Sequence, residues 1–223
     1  MRTKLFLNAI IKTALGIILV GLLLFLPAGT LEYKGAWLFI ILTLVPMLLI
    51  GAIMLYKSPE LLEKRINSRE KLGEQRLAVA FAAVLFIAGF VIAGLDFRFA
   101  LSRMPDVVSV CACVTYLIGY ALYSEVLREN RYVSRTVEIQ NGQHVVDTGL
   151  YGIIRHPMYF ASVLMFLSVP FILGSYYSLI AFIFYPFILT LRIKSEERLL
   201  EEKLDGYREY KEKVKYRLLP FIW

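Results

Sequence analysis

The chain has 223 residues, 58% of them hydrophobic, and a formal net charge of +7. A mean hydropathy of +0.63 excludes an ordinary soluble domain, whose apolar share is lower. The positive charge calls for no nucleic acid, because it collects in short segments between apolar blocks, where membrane proteins concentrate lysine and arginine.

A membrane span needs about 20 mostly apolar residues to cross about 30 Å of hydrocarbon. Residues 9–28 meet this with Lys12 as their only charge, and the block from Gly35 to Tyr56 has none. Arg2 and Lys4 precede the first block as they would in a secretory signal. Its apolar core is longer than a signal's and a second block follows almost at once, so it reads as a retained helix. Further blocks run from Leu77 to Leu95, from Val107 to Val126 and from Met158 to Leu191, the last long enough for two short passes. Pro46, Pro170 and Pro186 sit within or between these blocks, where neighbours can satisfy the carbonyls that a kink frees. Cys111 and Cys113 fit neither a CxxC pair nor a disulfide framework and read as reduced packing residues; no metal site is expected. The pattern predicts an all-α fold, a polytopic transmembrane helical bundle of five to six membrane helices whose last two form a hairpin.

Orientation follows from the basic residues of the short loops. Lys57, Lys64, Arg65, Arg69, Lys71 and Arg76 crowd the second loop, against Lys34 alone in the first and Arg98 and Arg103 in the third. Arg128, Arg131, Arg135 and Arg155 follow the fourth block, and the tail from Arg192 is denser still. The amino terminus, the second and fourth loops and the tail are therefore expected in the cytoplasm of a multi-pass protein, the compact form suggesting a prokaryotic cytoplasmic membrane. No internal repeat divides the chain. Residues 1–223 read as a single domain, with transmembrane helices over 1–127 and the chemistry over 128–223.

Between Glu129 and Pro157 the sequence is too polar for lipid, with turn signals at Asn141-Gly142 and Thr148-Gly149. Both histidines, His144 and His156, fall here. Arg155-His156-Pro157-Met158-Tyr159 stands where this segment enters the membrane, and Pro157 suits the first turn of a helix, whose N-terminus favours an anion. Arg192 and Glu196 are four apart and share one face of a helix that leaves the membrane. They form either an exposed ion pair or two charges facing a polar cavity. Leu199, Leu200 and Leu204 mark one stripe of the tail, which is helical in pattern from Arg192 to Lys215 with Gly206 interrupting it. Tyr207 and Tyr210, then Leu218-Leu219-Pro220-Phe221, either cover a site or anchor at the interface.

The stretch GQHVVDTGLYGIIRHPMYF, followed after an apolar hairpin by LRIKSEERLLEEKLDGYREYKEKVKYRLLPFI, resembles the carboxy-terminal region of isoprenylcysteine carboxyl methyltransferases and the related phospholipid N-methyltransferases. A G-x-Y before RHPxY, an arginine and a Glu-Glu pair past the hairpin, a Y-x-x-Y and a closing proline carry the likeness. SPELLEKRI, from Ser58 to Ile66, resembles a loop of prokaryotic relatives. The resemblance implies S-adenosyl-L-methionine as cofactor, held by a cytoplasmic segment and the last helices. It puts Gln143, His144, Val145 and Val146 beside the adenosyl part, after a strand-like stretch, with Tyr151 closing it. His156, Pro157, Met158 and Tyr159 would line the methionine part and Glu196 would accept from the cofactor. Arg192 would face the substrate, so that Arg192 and Glu196 form the implied catalytic pair. The implied reaction is methylation of a lipophilic acceptor drawn from the bilayer, among membrane lipids, such as an isoprenylcysteine-type carboxylate. The alternatives are a phospholipid N-methyltransferase and a membrane NADPH-dependent sterol-type reductase, which shares an RHPxY-like sequence.

Overall fold

The computed structural model describes residues 2–67, 73–134, 136 and 139–223, so Arg69, Lys71 and Arg135 of the charge pattern lie outside the described residues. Helices α1 (Arg2–Ala28), α2 (Lys34–Lys57), α3 (Pro59–Asn67), α4 (Gly73–Phe99) and α5 (Asp106–Glu129) come first. A short 3-10 turn (Gly149–Gly152), α6 (Pro157–Ile172), α7 (Tyr176–Phe182), α8 (Tyr185–Lys203) and α9 (Tyr207–Lys213) follow. The Ser58–Ile66 stretch is thus mostly helix and not loop. Its Leu61 and Leu62 are buried, Lys12 of α1 donates to the Ile66 carbonyl at 2.8 Å, and Lys64 reaches Gln140 Oε1 at 2.6 Å.

Among the described residues, five stretches are long and apolar enough to cross a membrane: Thr3–Ala28, Lys34–Lys57, Gln75–Phe99, Asp106–Glu129 and Tyr176–Lys203. The block from Met158 to Leu191 resolves into unequal parts. With 16 residues, α6 extends only about 24 Å at the usual helical rise. The chain turns at Gly174-Ser175, and the return leg breaks between α7 and α8, with Pro186 in the first turn of the second piece. Tyr185 donates to Ser162 Oγ at 3.0 Å across this hairpin. The outer faces carry exposed Leu15, Ile18, Leu49, Val107 and Phe187, a lipid-facing pattern for a bundle of this composition.

Inside, Leu24, Tyr33, Phe39, Phe90, Tyr116, Val169 and Phe182 share one core. At the end away from the polar segment, buried Asp96 accepts from the Ser102 amide at 2.7 Å, from Ser102 Oγ at 2.6 Å and from Ser175 Oγ at 2.5 Å. Tyr33 donates to the Leu173 carbonyl at 2.6 Å beside it. This polar knot ties the three turns at that end. It therefore fixes how far α6 rises toward the other end. Helix α6 packs closely on α5, and an added Cβ at Gly119 would stand 2.6 Å from Met165 Cγ and 2.9 Å from the Ala161 carbonyl. Close approach of membrane helices through small residues is a common source of their packing.

No strand occurs among the described residues, and Arg135, Val137 and Glu138 of the stretch expected to be strand-like before Gln143 lie outside them. Side chains take the place of a ladder there. Gln140 Nε2 donates to the Tyr132 carbonyl at 2.7 Å, the Gln140 amide donates to Gln143 Oε1 at 2.9 Å, and Tyr132 Oη donates to the Gly142 carbonyl at 2.9 Å. The expected turn is present, with the Gln143 amide on the Gln140 carbonyl at 3.0 Å.

Candidate functional site

The polar segment is shaped first at its junction with α5. The Glu129 carboxylate accepts the Leu150 amide at 3.0 and 3.3 Å. Gly149 holds φ +53, and a Cβ there would lie 1.5 Å from Glu129 Oε1. Only glycine combines that backbone with that approach. The resulting 3-10 turn presents Tyr151, whose main-chain carbonyl accepts Tyr210 Oη at 2.8 Å. Burial raises the Tyr151 phenol above its ordinary range, so it stays a neutral donor.

The entry into α6 is held from the carboxy-terminal side. His156 is the N-cap residue and Pro157 opens the helix. The Arg155 amide donates to the Tyr216 carbonyl and the His156 amide to the Arg217 carbonyl, both at 2.9 Å. Glu197, 2% exposed, gathers the side chains. Its Oε1 accepts Arg155 Nε at 2.7 Å and lies 3.3 Å from His156 Nε2, and its Oε2 accepts Arg217 Nε at 2.9 Å. Arg155 Nη1 also donates to the Val214 carbonyl at 2.8 Å. One carboxylate on α8 thus fastens the start of α6 to the segment after α9. A buried charge with this many partners is affordable where an isolated one is not.

The neighbouring carboxylate faces elsewhere. Tyr159 Oη donates to Glu196 Oε2 at 2.8 Å, the His156 and Tyr159 rings stack with centroids 5.7 Å apart, and Arg192 Cζ lies 6.0 Å from the Tyr159 ring centroid. These groups border a cavity that opens to the surface at the polar end of the bundle. Gln143, His144, Val145, Val146 and Tyr151 form one part of its wall, His156, Met158 and Tyr159 another, and Arg192 and Glu196 a third. Of the residues expected to hold cofactor or substrate, Pro157 is off the wall, buried in the first turn of α6, and Leu218-Leu219-Pro220-Phe221 do not border the cavity either. Of the two readings of Arg192 and Glu196, the cavity-facing one describes the structure.

Residues 107–202, which run from α5 through most of α8, match the isoprenylcysteine carboxyl methyltransferase (ICMT) family. The match spans less than half of the chain. No curated protein matches the chain. The ICMT match supports a membrane methyltransferase of the isoprenylcysteine type, and it contains every predicted wall residue from Gln143 to Glu196.

Around the ICMT segment the structure adds groups that sequence reasoning passed over. Tyr132, Ser134 and Thr136 line the cavity from the stretch just after α5. Tyr132 Oη lies 3.0 Å from His144 Nδ1, so it orients that ring. Leu200 near the end of α8, and Leu204, Tyr207 and Tyr210 beyond it, close the cavity, the covering position being one of the two readings of these tyrosines. A period-3.6 stripe could have announced those leucines as wall residues. Glu197 had no such signal, because adjacent glutamates look alike until the helix is seated.

The wall fits S-adenosylmethionine by its donor set. A carboxylate braced by a tyrosine meets a cation, flat phenols meet a sulfonium or an aromatic base, and Val145, Leu200 and Leu204 give an apolar corner.

Proposed function

We propose that this protein is an S-adenosylmethionine-dependent methyltransferase whose acceptor is a lipophilic molecule, most fittingly a carboxylate of the isoprenylcysteine type, reached from the bilayer at the cytoplasmic face. The observation that carries this reading is the Tyr159–Glu196 pair standing beside Arg192 on the wall of one cavity at the polar end of an ICMT segment.

When bound, S-adenosylmethionine supplies a methyl group activated by its sulfonium. Glu196 holds a cationic part of that cofactor, and the Tyr159 hydroxyl fixes the carboxylate in place by occupying one of its lone-pair sites. His156, stacked on Tyr159, fills the space behind the ring and keeps it facing the cavity. A carboxylate acceptor is already ionised near neutral pH, so no general base is needed. Arg192 orients it through a charge-assisted pair. The remaining work is to hold two reactants in line in a dry site, where positioning supplies most of the rate.

The test is ligand binding in mild detergent, followed by transfer of a radiolabelled methyl group. S-adenosylhomocysteine is expected to bind by calorimetry, and Glu196→Ala to weaken it by ten-fold or more, about the value of a charged hydrogen bond in a shielded site. An S-prenylated cysteine is expected to accept label ahead of phosphatidylethanolamine. Binding of NADPH with no response to S-adenosylhomocysteine would replace this reading with the reductase.

A further inference from the structure

Two tyrosines three apart on α9 meet opposite fates. Tyr210 is 5% exposed and its hydroxyl donates to the Tyr151 carbonyl at 2.8 Å. Tyr207 is 4% exposed, and its hydroxyl has no hydrogen-bond partner among the described residues. Both border the cavity. A buried hydroxyl left without a partner carries a desolvation cost that phenylalanine would avoid. The rings already pack on each other with centroids 5.7 Å apart, and packing alone would be served as well by phenylalanine. Helix α9 is also pinned on both sides, by Tyr210 and by Lys213 on Asp147 Oδ2 at 2.6 Å. The Tyr207 hydroxyl therefore has no part in anchoring it.

The surroundings of Tyr207 select the ligand. Val145, Leu200, Leu204 and Val214 form the apolar cluster around it, and Glu196 and Glu197 are the nearest negative charges. Glu197 is neutralised there by Arg155 and Arg217, so the corner is apolar with one neutral donor, which suits an uncharged nucleoside better than a charged amino-acid end. Burial and those two carboxylates also hold the phenol well above its ordinary range, so it remains a donor.

We infer that the Tyr207 hydroxyl donates a hydrogen bond to the nucleoside part of the bound cofactor, and that this contact takes up the donor left over in the folded protein. The inference rests on the methyltransferase reading and extends it to a residue beyond the ICMT match.

Tyr207→Phe and Tyr210→Phe separate the possibilities in the full-length protein. Tyr207→Phe is expected to keep or raise the melting temperature without ligand. It should weaken S-adenosylhomocysteine and 5′-deoxy-5′-methylthioadenosine, which lacks the amino-acid end, by the same factor of about 3 to 10. Tyr210→Phe is expected to lower the ligand-free melting temperature. Unchanged S-adenosylhomocysteine affinity in Tyr207→Phe overturns the inference while leaving the methyltransferase reading intact. So does a fall in its ligand-free stability matching that of Tyr210→Phe, or a failure to fold. Loss confined to S-adenosylhomocysteine, or no binding of the methylthio nucleoside to wild type at millimolar concentration, overturns the nucleoside assignment. Failure of the wild type to bind S-adenosylhomocysteine at all refutes the reading beneath it.

Discussion

Glu196 and Glu197 are adjacent in the chain, yet substitution of each should damage a different property. Glu197→Gln keeps the volume and removes the charge that Arg155 and Arg217 share. Arg217 is 30% exposed on its side chain and can turn to water, so its loss is small. Arg155 is 5% exposed on its side chain and keeps only carbonyl partners through Nη1. Breaking a buried pair in this way costs about 3–5 kcal/mol, a large share of the about 5–15 kcal/mol that holds a typical domain folded. The expected outcome is a strong fall in ligand-free thermal stability in detergent. Any S-adenosylhomocysteine still bound should produce its usual stabilising shift. Glu196→Ala should do the reverse, with near-normal ligand-free stability and little ligand-induced shift. Replacing both members of the buried pair, Arg155→Met with Glu197→Leu, should recover part of the loss, since no charge is then left alone. A Glu197→Gln protein that melts like wild type but no longer binds S-adenosylhomocysteine would refute the division of roles drawn from these distances.

Gly149→Ala should lower both stability and cofactor affinity, because it places a side chain at φ +53 at a cost of about 1–3 kcal/mol and displaces the Glu129 carboxylate from the Leu150 amide; thermal shift with and without S-adenosylhomocysteine reads both effects. Gly119→Val should destabilise the bundle by opening the α5–α6 contact, a loss visible as a lower melting temperature. Alkaline pH should destabilise the site region. The phenols of Tyr151, Tyr207 and Tyr210 are raised above the ordinary 10.0, mainly by burial. The neutral form is thus favoured in the folded state, so the stabilising contribution is complete below pH 10 and fades as pH climbs above it. Hydrogen exchange across residues 139–151 and α9 between pH 9 and pH 11 should show it, and exchange that does not respond in that window would contradict the burial of these groups.

The helical, membrane-compatible character was legible because long apolar blocks constrain helices strongly. Pro157 announced the start of α6 for a local reason, its fixed φ and missing amide. What the sequence concealed lies where the chain pairs across distance. Nothing in RHP says that its amides will meet the carbonyls of Tyr216 and Arg217, some sixty residues on. The strand-like reading of the stretch before Gln143 came from the resemblance alone, and it could not show that Gln140 and Tyr132 would bond to main-chain carbonyls there.

The Glu-Glu pair shows why a motif and a site are different objects. A helix turns about 100° per residue, so consecutive glutamates cannot share a direction, and seating α8 against α6 decides which one meets the cavity. Tyr159 fixes that choice, one turn into α6, by bonding Glu196, while His156 and Arg155 at the helix entry engage Glu197. The same few residues of RHPxY therefore hold both carboxylates, one facing the cavity and one as a fastening. Any shift of α6 along its axis would exchange or lose those partners together. The polar knot of Asp96, Ser102 and Ser175, at the far end of the bundle from every cavity residue, sets that axial position. It follows that Asp96→Asn should reach the site through the helix, weakening S-adenosylhomocysteine binding without touching it. Binding unchanged in a protein whose far-end turns are measurably loosened would show that α6 is held by its entry alone.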